Sequence, residues 1–115
     1  MSTEGSWFPV AFAADVESGT MIGTQAGDQP VAIYNVDGTF YATHNICTHQ
    51  LAHLSDGWLE GCIVECPLHA GQFDVTTGKG LGPPIMCDIR TFPVRVVGDS
   101  VQVRVDPAEA APAGD

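Results

Sequence analysis

Cys47-Thr48-His49 and, after sixteen intervening residues, Cys66-Pro67-Leu68-His69 are the stretches that decide how this sequence is read. A cysteine thiolate is a soft, anionic ligand that suits iron–sulfur clusters and zinc, and a neutral imidazole suits iron and zinc alike. Two of each complete a ligand set for a [2Fe–2S] centre of mixed ligation or for a structural zinc. Cys47, His49, Cys66 and His69 are therefore the candidate metal ligands.

The segment around them differs from the rest of the chain. Residues 44–84 hold six glycines, three prolines and all four histidines. That composition predicts loops and very short strands, such as Cys62 to Glu65. Regular strand signals flank it. Val31 to Thr43 reads as a hairpin turning at Asp37-Gly38, a pair that supplies the positive φ angles of a tight turn. Phe92 to Val105 reads as a second hairpin turning at Gly98-Asp99. Its second arm alternates, with Val101, Val103 and Val105 on one face and Gln102 and Arg104 on the other. Thr20 to Thr24 is a weaker strand signal, and Ala13 to Glu17 suits one helical turn. The expected fold class is all-β: a small antiparallel sandwich or barrel-like base carrying a loop-rich insert, which is how a site mounted on a rigid scaffold is built.

The length of 115 residues suits one domain. The expected division is a base over about 1–43 and 85–105 and a ligand-bearing subdomain over about 44–84, together one domain over 1–105. Residues 106–115 hold no bulky apolar side chain and are expected to form a disordered tail. A domain this small buries only about two-thirds of its unfolded surface, so a bound metal group would add to its stability.

Charge narrows the function. Fourteen acidic residues face only Lys79, Arg90, Arg95 and Arg104, for a formal charge of −10. Such a surface repels nucleic acid and anionic membranes and favours docking onto basic patches of partner proteins. Met1 to Ser6 holds no base, and the apolar run Trp7 to Ala14 is too short to span a bilayer. Four cysteines without a leader suit the reducing cytoplasm, where Cys and His clusters bind metal more often than they form disulfides.

With those residues in place, the sequence resembles the Rieske ferredoxins of bacterial aromatic-ring-hydroxylating dioxygenase systems. The resemblance runs over about residues 7–105. It rests on the paired motif and on its flanks: Cys47-Thr-His-Gln50 before Ser55-Asp56-Gly57, Glu65-Cys-Pro-Leu-His69, Gly71-Gln-Phe-Asp74, Thr77-Gly78-Lys79, and Asp88-Ile-Arg-Thr-Phe-Pro-Val94. It implies a Rieske fold and one [2Fe–2S] cluster, with Cys47 and Cys66 on the inner iron and His49 and His69 on the outer iron. It also implies a soluble electron carrier without substrate chemistry of its own. The implied donor is an NAD(P)H-dependent flavoprotein reductase, and the implied acceptor is a terminal dioxygenase. A monomer is the default, with no nucleic-acid or membrane partner. Two alternatives are carried forward: a ferredoxin serving a diiron aromatic monooxygenase, and a zinc-stabilised binding module.

The resemblance also marks departures. Respiratory Rieske proteins carry a disulfide beside the cluster, and the resemblance puts Leu51 and Leu68 at its positions, so that bridge is absent here. They place serine and tyrosine hydroxyls where this chain has Gly71 and Phe73. Fewer hydrogen bonds to the sulfurs imply a potential toward the low end of the Rieske range. Gly80-Leu-Gly-Pro-Pro84 resembles the family's proline loop over the cluster. The remaining candidates take plainer roles. Cys62 and Cys87 are expected as small buried apolar residues, His44 and His53 as loop or surface residues, and Trp7, Trp58 and Phe73 as packing residues. Arg90, Arg95 and Arg104 are expected on solvated strand faces.

Overall fold

The computed structural model describes residues 6–27, 29–46, 53–67, 71–81 and 88–105. In chain order its strands are β1 (Ser6–Phe12), β2 (Met21–Ala26), β3 (Gln29–Val36), β4 (Thr39–His44), β5 (Trp58–Glu60), β6 (Ile63–Glu65), β7 (Gln72–Asp74), β8 (Lys79–Gly80), β9 (Thr91–Phe92), β10 (Val94–Val97) and β11 (Ser100–Val105). Single turns of 3-10 helix lie at Ala13–Asp15 and Leu54–Asp56. The fold is all-β, as expected, and no helix among the described residues is long and apolar enough to cross a membrane.

Both expected hairpins form. β3 and β4 pair about Asp37 and Gly38, whose φ angles of 54° and 91° are those a tight turn between twisted strands requires. β10 and β11 pair about Gly98-Asp99, and Val101, Val103 and Val105 are buried on one face of β11. The weak signal over Thr20–Thr24 corresponds to the full strand β2, which pairs with β3 along its length. One strand carried no signal in the sequence. β1 contains Pro9, which removes a ladder donor and usually argues against a strand. It is tolerated because β1 is an edge strand with a register shift between Pro9 and Ala11.

The strands form three antiparallel sheets, ordered β1-β11-β10, β2-β3-β4-β9 and β5-β6-β7-β8. The second sheet is the middle layer, because β3 is buried on both faces. Val31 and Ile33 join Val101, Val103 and Phe92 in one core. Ala32 and Tyr34 join Leu54, Val64, Cys66 and Phe73 in the other. Period-2 alternation on β3 therefore serves two cores at once, which is why Val31–Asn35 is a continuous buried run. The Tyr34 hydroxyl and the Thr43 hydroxyl lie 2.9 Å apart inside this layer, so neither polar group is buried alone.

Candidate metal centre

Of the four candidate ligands, Cys66 lies among the described residues; Cys47, His49 and His69 lie outside them. Cys66 follows β6 and is fully buried in the core that holds Leu54, Val64 and Phe73. Its amide donates to the carbonyl of Gly71 at 2.8 Å, closing the segment that contains His69 at its base.

The segment that contains Cys47 and His49 is closed in the same way. Ile46 and His53 form an isolated antiparallel bridge, and the Leu54 amide donates to the Asn45 carbonyl at 2.7 Å. Asn45 is buried, and its side chain braces this closure twice. Its Oδ1 accepts from the Ser55 amide at 2.9 Å, and its Nδ2 donates to the Ser55 hydroxyl at 2.9 Å.

The two closures are held together by Gly57. A Cβ at this position would overlap the carbonyl oxygen of Glu65 and stand 3.1 Å from Cδ of Pro67, the residues on either side of Cys66. Only glycine allows the backbone after Leu54–Asp56 to lie this close to the strand that leads into Cys66. The expected proline loop is anchored at the same sheet. The Leu81 amide donates to the Gln72 carbonyl at 2.9 Å, and the Gly80 amide to Asp88 Oδ1 at 3.0 Å. Residues 82–87, with Cys87, lie outside the described residues.

These contacts bring the described ends of both segments that hold the candidate ligands to one end of the β5–β8 sheet. Cys66 is fully buried at the end of β6, and a thiolate shielded from water there is the soft ligand that an iron–sulfur core takes. With a second thiolate and two imidazoles in the adjoining segments, the donor set fits a mixed-ligand [2Fe–2S] cluster.

Nearby titratable groups are tuned by local structure. His44, half-buried at the end of β4, has its pKa lowered mainly by burial, with a smaller contribution from the Arg90 cation, against an opposing contact with the Ile46 backbone. Asp74 has its pKa lowered by hydrogen bonds from the Thr76 hydroxyl at 2.6 Å and the Thr76 amide at 2.9 Å. His53 is exposed, and Cys62 is half-buried against the core rather than fully enclosed. Phe73 is a core residue as expected, and Arg95 lies 4.3 Å over the Trp7 ring. Trp58 departs from its expected packing role: it is 60% exposed. Asn45 and Gly57 were not singled out from the sequence. The available signal was their position, a polar residue two before the first cysteine and a glycine closing Ser55-Asp56-Gly57.

Comparison with known proteins bears on this geometry. A family model described as the Rieske [2Fe–2S] domain matches residues 6–93. A protein of a Ralstonia species, named the ferredoxin component of naphthalene 1,2-dioxygenase/salicylate 5-hydroxylase systems, is 43% identical over 101 residues, covering 88% of this chain and 97% of its own. The ferredoxin component of a 2,4-dinitrotoluene dioxygenase system from Burkholderia sp. (strain RASC) is 44% identical over 101 residues, with the same coverage. Among solved structures, a chain from the complex of reduced oxygenase and oxidized ferredoxin in carbazole 1,9a-dioxygenase superposes with a TM-score of 0.80 at 39% identity, covering 85% of this chain and 92% of that one.

Proposed function

Because this chain belongs to the Rieske [2Fe–2S] domain family, we propose that it passes single electrons from an NAD(P)H-dependent flavoprotein reductase to a terminal aromatic-ring-hydroxylating dioxygenase. It is an electron carrier rather than an enzyme, as its relatives named ferredoxin components are. The observation that carries the reading is the near end-to-end likeness to those single-domain ferredoxins, combined with the paired motif whose closures meet at Cys66. The zinc-module alternative is set aside by the family match.

Cys47 and Cys66 would supply the two thiolates, and His49 and His69 the two imidazoles. When bound, the cluster supplies a one-electron couple. Replacing two thiolates by neutral imidazoles makes the oxidised site about two charge units less negative than a four-cysteine one and so eases reduction. The chain's own part is to hold Cys66 away from water and to keep both ligand segments at one end of the sheet, so that little rearranges when an electron arrives. The base over about 1–43 and 85–105 carries this subdomain over about 44–84. We place the carrier in the cytoplasm, as a monomer.

The test is reconstitution. The purified protein should contain iron and acid-labile sulfide in equal amounts and show a Rieske-type EPR signal once reduced. Reductase and NAD(P)H should reduce it, and a ring-hydroxylating dioxygenase should reoxidise it. Reoxidation by a diiron monooxygenase alone would overturn the choice of acceptor, and a colourless zinc protein would overturn the whole reading.

A further inference from the structure

The outward face of the β5–β8 sheet does not belong to either core. Leu59, Val64 and Phe73 point inward. The opposite positions form two cross-strand rows. Trp58 stands opposite Glu65, and Glu65 opposite Gln72; Leu81 continues the row through its amide bond to the Gln72 carbonyl. Glu60, Ile63, Asp74 and Lys79 form the second row. The first row ends in exposed apolar side chains, Trp58 and Leu81, with Glu65 and Gln72 hydrogen-bonded to each other between them at 3.1 Å.

We infer that this face, anchored by Trp58, is the surface by which the protein grips its terminal oxygenase, in an apolar pocket rimmed by lysine or arginine. The inference rests on the electron-carrier reading above. Proximity argues for it. Directly opposed residues of an antiparallel pair are about 5 Å apart at Cα, and Glu65 is bonded to Cys66, so the Trp58 Cα lies within roughly 9 Å of the Cys66 Cα. A partner seated on Trp58 is therefore brought against the ligand end of the sheet. Charge argues for the rim: Glu60, Glu65 and Asp74 face the single Lys79 on these rows, in a chain of net charge −10. Tryptophan is among the side chains most enriched at the centres of interfaces, inside a polar rim of contacts that exclude water. Leu59, packed against the core, fixes the strand that carries it, so the ring is presented on a strand rather than on a loop.

The experiment measures binding of the cluster-loaded protein to its own purified oxygenase by surface plasmon resonance, beside the visible and EPR spectra. Trp58→Ala should weaken binding tenfold or more with both spectra unchanged. Trp58→Phe should recover part of the loss, and Glu60→Lys should weaken binding most at low salt. Trp7→Ala, on another sheet, should have no effect. Wild-type affinity in Trp58→Ala, while wild type transfers electrons normally, would overturn this surface and leave the carrier reading intact. If Trp58→Ala loses its cluster, Glu60→Lys decides, and unchanged binding there overturns the proposal. Wild-type protein that neither binds nor reduces the oxygenase would overturn both.

Discussion

Cys62 and Cys66 stand four residues apart and have opposite expected roles. Cys66 is fully buried beside the closure that contains His69, whereas Cys62 is half-buried in the turn between β5 and β6. Cys66→Ser should abolish the visible spectrum of the cluster, and Cys62→Ser should leave it unchanged; the reverse result would reject the ligand set. At Gly57 the argument is steric. A methyl group there overlaps the Glu65 carbonyl, and backbone gives way less readily than a side-chain tip. Gly57→Ala should cost about 2–4 kcal/mol and lower the iron bound per chain, as read by thermal unfolding and metal analysis. Phe73 lies in the same core as Cys66. A hydroxyl donating to a ligand sulfur stabilises the reduced state, and about 59 mV corresponds to a tenfold change in a one-electron equilibrium. Phe73→Tyr should therefore raise the midpoint potential by tens of millivolts in direct voltammetry. A wild-type midpoint well above zero would remove the premise that missing hydroxyls set it low.

The short strands β7 and β8 are joined by a turn that Asp74 organises. Its carboxylate accepts from the amide and hydroxyl of Thr76, and its carbonyl accepts from the Gly78 amide at 2.7 Å. The Thr76 bonds favour the ionised form and hold its pKa below the ordinary carboxylate value. A depressed folded-state pKa stabilises the fold above the unfolded value of about 4, and that contribution is lost as pH falls through the folded value. Asp74→Asn should therefore be less stable than wild type at neutral pH, and the gap should close on acidification below about pH 4. Chemical denaturation across that range measures it. A gap independent of pH would show that the charge contributes nothing to this turn. The effect belongs to the element because β8 leads into Leu81 and Asp88, where the 82–87 segment is anchored.

For the whole molecule, the ruling quantity is the charge of −10. Exposed charges are screened beyond about 8 Å at physiological ionic strength, so encounter with a basic partner surface should slow as salt rises. Stopped-flow electron transfer to the oxygenase should fall steadily from low to high salt, and a flat profile would reject electrostatic steering. Stability is also set at this scale. The middle sheet separates two cores, one shared with the β1–β11–β10 sheet and one with the ligand-bearing sheet. Cys66, the thiolate proposed to hold the cluster, belongs to the second, so cluster loss should loosen packing there.

The sequence by itself determined the elements whose signals are local. The Asp37-Gly38 turn and the alternating valines of β11 need only neighbours in the chain, since turn geometry and period-2 burial are short-range properties. The candidate ligand motif can be proposed from sequence for the same reason, because donor chemistry and spacing are written in residue types. Tertiary structure decided what depends on distant partners. β1 is a strand despite Pro9 because the edge of the first sheet forgives a missing donor. β3 is buried on both faces because a sheet lies against each of them. Trp58 is exposed because Leu59, on the opposite face of β5, is the residue that packs inward, a choice of face that pairing register makes. Gly57 matters only because the chain after Leu54–Asp56 returns against Glu65, a contact between segments that no local pattern encodes.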